Sequence, residues 1–197
     1  VSPHDRLLLY AKGGEHHRFW YDMQRRQIAA WCSAHGSYSR ERFTAIFAIT
    51  SPRVSVWQNW RLAIQYAKRM DMTSMMGTSR AALNHFEKTR EIRGPKTKKF
   101  YDAIMGDPEA LVLDVWMARA LDIPHAVVNH PRNAEIAFRQ VSEIAWEMRW
   151  TVAQAQAAIW RGIRHTWRSP AVCEEQNTRK NVFGEFGFET QPFLDRH

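Results

Sequence analysis

Apolar positions along this chain recur at helical spacing and almost nowhere alternate. Val56, Trp57, Trp60, Ala63, Ile64 and Ala67 fall at offsets 0, 1, 4, 7, 8 and 11, one face of an α-helix. Arg61, Gln65, Lys68 and Arg69 lie largely off that face. The same period predicts a helix over residues 19–35, with Phe19, Met23, Ile28 and Trp31 turned to a core and Gly36 as its stop. It predicts another over 40–49 with Phe43, Ile46 and Phe47 inward, and one or two shorter helices within 71–93. A long amphipathic helix is expected over 134–149, on the stripe Ile136, Ala137, Val141, Ile144, Ala145 and Met148. A last one should use Val152, Ala155, Ile159 and Ile163.

Start and stop signals sharpen these bounds. The segment TVAQ at 151–154 is a capping box. Ser51 before Pro52 reads as a cap followed by a proline at a tolerated position, and Asp107 before Pro108 repeats the device. Gly94-Pro95 opens a helix that should run through KTKKFYDAIM to Gly106. Asp114 can cap VWMARAL, which ends before Pro124, and residues 125–134 read as a loop. The short apolar stretch from Leu7 to Ala11 ends at Gly13-Gly14. From Arg168 onward the period disappears, and Gly184 and Gly187 sit among aromatics. The expectation is an all-α, compact helical domain over 1–167 with a non-helical C-terminal arm over 168–197. The arm either packs on the domain or meets a protein partner. Without strand alternation, doubly wound folds, OB-folds and TIM barrels are excluded.

Composition narrows the function. Lys and Arg number 28 against 20 Asp and Glu, a formal charge of +8. That excess favours a polyanionic partner, or is simply a basic surface. Two cysteines, Cys32 and Cys173, cannot build a thiolate-rich zinc site or a four-cysteine iron–sulfur cluster, and a disulfide framework is not expected. A reducing, cytoplasmic setting is therefore expected, in a bacterial or infected host cell. No apolar run approaches the roughly 20 residues that span a bilayer, so no membrane is expected as partner. His16, His17, His125 and His130 match no zinc spacing, and no phosphate-binding glycine motif occurs. No cofactor and no metal are expected.

The densest basic run is KTREIRGPKTKK at 88–99, with six Lys or Arg and one Glu. Gly94 sits inside it, directly before a helix start. A glycine turn and free first-turn amides can approach a phosphate, with Arg93, Lys98 and Lys99 supplying charge. A solvated basic helix start is the plainer alternative. GPKT at 94–97 and LVLDVWMAR at 111–119 are separated so that Lys96 and Asp114 lie eighteen residues apart. Here the chain resembles the helix-hairpin-helix DNA glycosylases of the endonuclease III type, whose hairpin ends in G-x-G-[RK]-K-T and precedes a V-D-T-H segment. IFAITSPRVSVWQNW at 46–60 resembles the family's L-S-x-Q stretch, with Ser51 at the serine and Arg53 where a wedge residue stands. The resemblance covers about residues 40–125.

The resemblance implies a DNA N-glycosylase, with AP-lyase activity as a second capacity, acting on a damaged or modified base in double-stranded DNA. Lys96 and Asp114 become the catalytic pair. Arg53, Arg93, Gly94, Lys98, Lys99 and Arg119 become DNA contacts. Independently, a fixed carboxylate stabilises the positive charge of glycosidic cleavage, and an amine near C1′ can attack and form a Schiff base. A flipped base needs an aromatic or apolar pocket, for which Trp57, Trp60, Phe100, Tyr101 and Trp116 are candidates. Each has a plainer alternative: Asp114 as a cap only, Lys96 as a phosphate contact, Arg53 as a surface arginine, the tryptophans as core.

The departures are specific. Ile92 replaces the first hairpin glycine, Val115-Trp116 replaces T-H, and the span from the upstream segment to the hairpin is short. These fit a compact, divergent, phage-encoded branch, a specialised substrate, or a non-catalytic DNA-binding protein of the same fold; the aromatic C-terminal arm points instead to a phage protein aimed at a host protein.

Overall fold

The computed structural model describes residues 1–36 and 38–166. The described residues are helical, with no strand among them. The helices are α1 (Pro3–Gly13), α2 (Trp20–Ala34), α3 (Arg40–Thr50), α4 (Val56–Arg69), α5 (Gly77–Thr89), α6 (Pro95–Met105), α7 (Val115–Leu121), α8 (Pro131–Met148) and α9 (Val152–Thr166). Single 3₁₀ turns at Glu15–His17 and His125–Val127 join α1 to α2 and α7 to α8. The arm expected over 168–197 lies outside the described residues.

Side-chain caps set many of the helix starts. Ser39 accepts from the Arg42 amide and opens α3. Asp114 accepts from the Trp116 and Met117 amides and opens α7. At α9 the capping box closes reciprocally: the Gln154 amide donates to Thr151 Oγ1, and the Thr151 amide donates to Gln154 Oε1. The start of α4 corrects the sequence reading. Its cap is Ser55, which accepts from the Gln58 amide. Ser51 instead ends α3, its hydroxyl donating back to the Ala48 carbonyl. Asp107 caps no helix either; its carboxylate accepts from the Glu109 amide in a local turn. In α8 the start falls at Pro131, inside the expected loop.

The helices pack around two cores. In the first, α3 is central: Phe43 through Thr50 are all buried, and α2, α4, α5 and α6 surround them. Trp60 packs on Phe43 and Phe47, with its indole N–H donating to Gln24 Oε1. That bond explains how a glutamine sits at 2% exposure. The second core draws on α1, α7, α8 and α9, with Leu7, Met117, Val141, Ile144, Ile159 and Ile163 at its centre. Some expected core residues lie outside: Phe19 is 49% exposed, Met23 36% and Ile136 38%. Helix α2 begins one residue after Phe19, and its buried face runs through Tyr21, Gln24, Ile28 and Trp31.

Candidate functional site

Where the two cores meet, four helices bring aromatic and polar side chains around one carboxylate. Asp114 is half-buried at the start of α7. Its Oδ1 accepts from the Trp116 amide at 3.0 Å and the Met117 amide at 2.9 Å. Its Oδ2 accepts from the indole N–H of Trp160, on α9, at 2.8 Å. Trp160 lies 6.3 Å, ring centre to ring centre, from Trp20 at the first position of α2. Trp20 in turn stacks on Phe100 of α6 at 5.9 Å, with planes 22° apart. Trp20, Phe100 and Trp160 are all half-buried, so the carboxylate stands beside an aromatic wall that solvent partly reaches.

Behind that wall, the hydroxyl of buried Tyr21 donates to Gln156 Oε1. Burial, and secondarily the charge of Asp114, push the Tyr21 phenol far up, so it stays a neutral donor. Gln156 is 2% exposed and satisfied by this bond. Arg164 lies 4.2 Å from the Trp160 ring centre and 5.7 Å from that of Trp116, while Arg119 lies 4.7 Å from Trp116. Guanidinium groups thus already cover faces of both indoles.

The basic hairpin is α5, a five-residue link at 90–94, and α6. Gly94 has φ +85° and ψ 131°, a conformation closed to side chains, and no side chain caps α6. The Lys98 amide donates to the Gly94 carbonyl. Of the basic run, Arg90 pairs with Glu87 at 2.7 Å, and Lys98 pairs with Asp102 one turn on. Lys88, Arg93, Lys96 and Lys99 enter no ion pair among the described residues. The Lys98 charge is therefore partly neutralised by Asp102, whereas Lys99 has no such partner among the described residues.

Lys96 and Asp114 do not touch: among the described residues no hydrogen bond or ion pair joins them. Their link is indirect. Lys96 precedes Phe100 by one turn of α6, and Phe100 reaches Asp114 through Trp20 and Trp160. Among the other sequence candidates, Trp116 adjoins Asp114 through its amide and Phe100 belongs to the wall. Trp60, at 2% exposure, is core. Trp57 is half-buried on α4 with Arg61 over its ring, apart from these contacts. Tyr101 lines a cavity of about 710 Å³ between α3, α5 and α6, with Glu41, Arg42, Phe86 and Arg90, and away from Asp114. Arg53 is exposed in the turn between α3 and α4, at φ +60°.

Sequence reasoning missed Trp20, Tyr21, Gln156 and Trp160. One signal was available: Trp160 is a large aromatic one position off the apolar stripe of α9, where a second packing partner is needed.

Fold and site together define an all-helical protein with a carboxylate held between two helical cores. Residues 12–167 match the family model described as "Family of unknown function (DUF7178)", and the chain belongs to that family. No curated protein and no solved structure matches the chain. No helix among the described residues is long and apolar enough to cross a membrane.

Proposed function

We propose that the protein is a DNA N-glycosylase with AP-lyase capacity, in which Asp114 and Lys96 act on a damaged or modified base. The observation that carries the reading is the setting of Asp114: a fixed carboxylate at a helix start, beside the aromatic surface of Trp20, Phe100 and Trp160. Cleavage of the glycosidic bond builds positive charge on the sugar, and a preoriented carboxylate stabilises it without reorganising. The aromatic wall suits a planar base taken out of the duplex stack. The order of parts supports the reading too: two helices joined by a short link with a left-handed glycine, a lysine in the first turn, then a capping aspartate. In the lyase step the Lys96 amine bonds to C1′ as the C1′–base bond breaks. The base leaves with that electron pair and takes up the proton the amine gives up; the C1′–O4′ bond then breaks as the nitrogen lone pair forms the C1′=N bond, O4′ takes up a proton from solvent, and the opened sugar is held as a protonated Schiff base.

A second reading is a non-catalytic DNA-binding protein. The two amide bonds to Asp114 Oδ1 favour it, because they are what a helix cap alone would make. The experiment that separates the two is borohydride trapping on duplex DNA carrying an abasic site. The glycosylase–lyase reading expects a covalent adduct in the wild type that disappears in Lys96→Ala. An adduct that survives Lys96→Ala contradicts the role of that lysine. Salt-dependent duplex binding, with neither adduct nor base release on any substrate, favours the second reading.

A further inference from the structure

We propose that Trp160 is a positioning residue for Asp114, its indole N–H fixing the carboxylate so that a single acceptor position faces the ligand. The inference rests on the glycosylase reading of Asp114. A carboxylate offers about four acceptor positions. The Trp116 and Met117 amides take both on Oδ1, and Trp160 takes one on Oδ2. One position on Oδ2 is left, and its direction is set by the indole. A cap needs only Oδ1, so the third bond, made from 46 residues away, is not explained by helix initiation.

Trp160 is itself held from several sides. Its ring meets Trp20, and Arg164 covers one face. One turn earlier, Gln156 anchors α9 to Tyr21 of α2. Further back, the Ala153 amide donates to the Pro108 carbonyl at 3.0 Å, tying the start of α9 to the link that leads into Asp114. A donor on so constrained a helix orients the carboxylate as outer partners orient metal ligands, by removing its torsional freedom. Trp160→Phe keeps an aromatic side chain at the position but deletes the N–H together with the five-membered ring, which leaves both acceptor positions of Oδ2 open.

The test combines turnover with a spectroscopic readout. On a duplex substrate that the wild type processes, Trp160→Phe should lower kcat by about 10–100-fold and leave KM nearly unchanged, because an interaction acting on orientation is lost. Trp160→His, which restores a ring N–H, should recover part of the loss. Trp160→Phe with wild-type kcat overturns the proposal. The second arm follows the indole N–H cross-peak of Trp160, assigned by its absence in Trp160→Phe. Adding duplex with a tetrahydrofuran abasic analogue to the wild type should shift it, and Asp114→Asn should abolish that response. If the wild type turns over no substrate while the cross-peak still responds, the glycosylase reading falls and the positioning of Asp114 toward duplex stands. A cross-peak unmoved by added duplex overturns the positioning role.

Discussion

Gly162 of α9 and Tyr10 of α1 meet backbone to backbone: a Cβ at Gly162 would lie 2.0 Å from the Tyr10 carbonyl oxygen. Gly14 makes the matching approach, its Cβ position falling 1.9 Å from the Ala158 carbonyl oxygen. Helix propensity alone would favour alanine at 162 by about 1 kcal/mol. The clash is with backbone, so no rotamer relieves it, and overpacking of this kind costs about 3 kcal/mol or more. Gly162→Ala is therefore expected to lower the urea midpoint clearly. A midpoint at or above that of the wild type would mean that α1 and α9 do not cross as described.

His17 gives stability a defined pH dependence. Burial first, then the charges of Arg161, His16 and His165, push its imidazole down to about 4. Its Nε2 accepts from Arg161 Nε at 3.2 Å, a bond only the neutral ring can accept. Because the folded value lies below the unfolded one near 6.5, the unfolded chain binds more protons between them. The contribution is fully present above pH 6.5, declines as the pH falls toward 4, and is flat below that. Urea titrations at several pH values should show this slope. His17→Gln, which keeps an acceptor but cannot titrate, should flatten it; an unchanged slope in that variant assigns the dependence to other groups.

Salt dependence reports which cations meet phosphate. Arg93 and Lys99 enter no ion pair among the described residues, whereas Lys98 is held by Asp102. If the hairpin grips DNA, Arg93→Ala and Lys99→Ala should each reduce the slope of log K against log salt by about 0.9. Lys98→Ala should change it less. Equal slopes in all three variants and the wild type would place the DNA contact elsewhere.

What the sequence made legible is what short-range chemistry controls. The bounds of α6 and α7, the Asp114 cap and the Thr151–Gln154 box are written within a few residues, and the structure has all of them. Ser51 and Ser55 are both plausible caps four residues apart. Pro52 drew the reading to the wrong one, because a turn, and not a helix, uses that proline. The buried face of α2 was misread because it includes Gln24, a polar residue made acceptable by the indole of Trp60, 36 residues away. The wall beside Asp114 was hidden for the same reason. Tyr21 and Gln156 are 135 residues apart, and no local pattern marks them as partners.

The most direct measurement is single-turnover base release from duplexes carrying damaged or modified bases, comparing wild type with Asp114→Asn. Asparagine retains an oxygen for the Trp116 and Met117 amides, so the cap survives, but its amide nitrogen cannot accept from the Trp160 indole N–H; Asp114→Asn should remain folded, with a stability loss of about 1–3 kcal/mol. It lacks the negative charge, so release should fall by at least about 10²-fold, the loss expected when one electrostatic stabiliser of a transition state is removed. That combination, a folded variant with release abolished, is the predicted result. Release at the wild-type rate in folded Asp114→Asn would contradict the account and leave Asp114 as a helix cap alone.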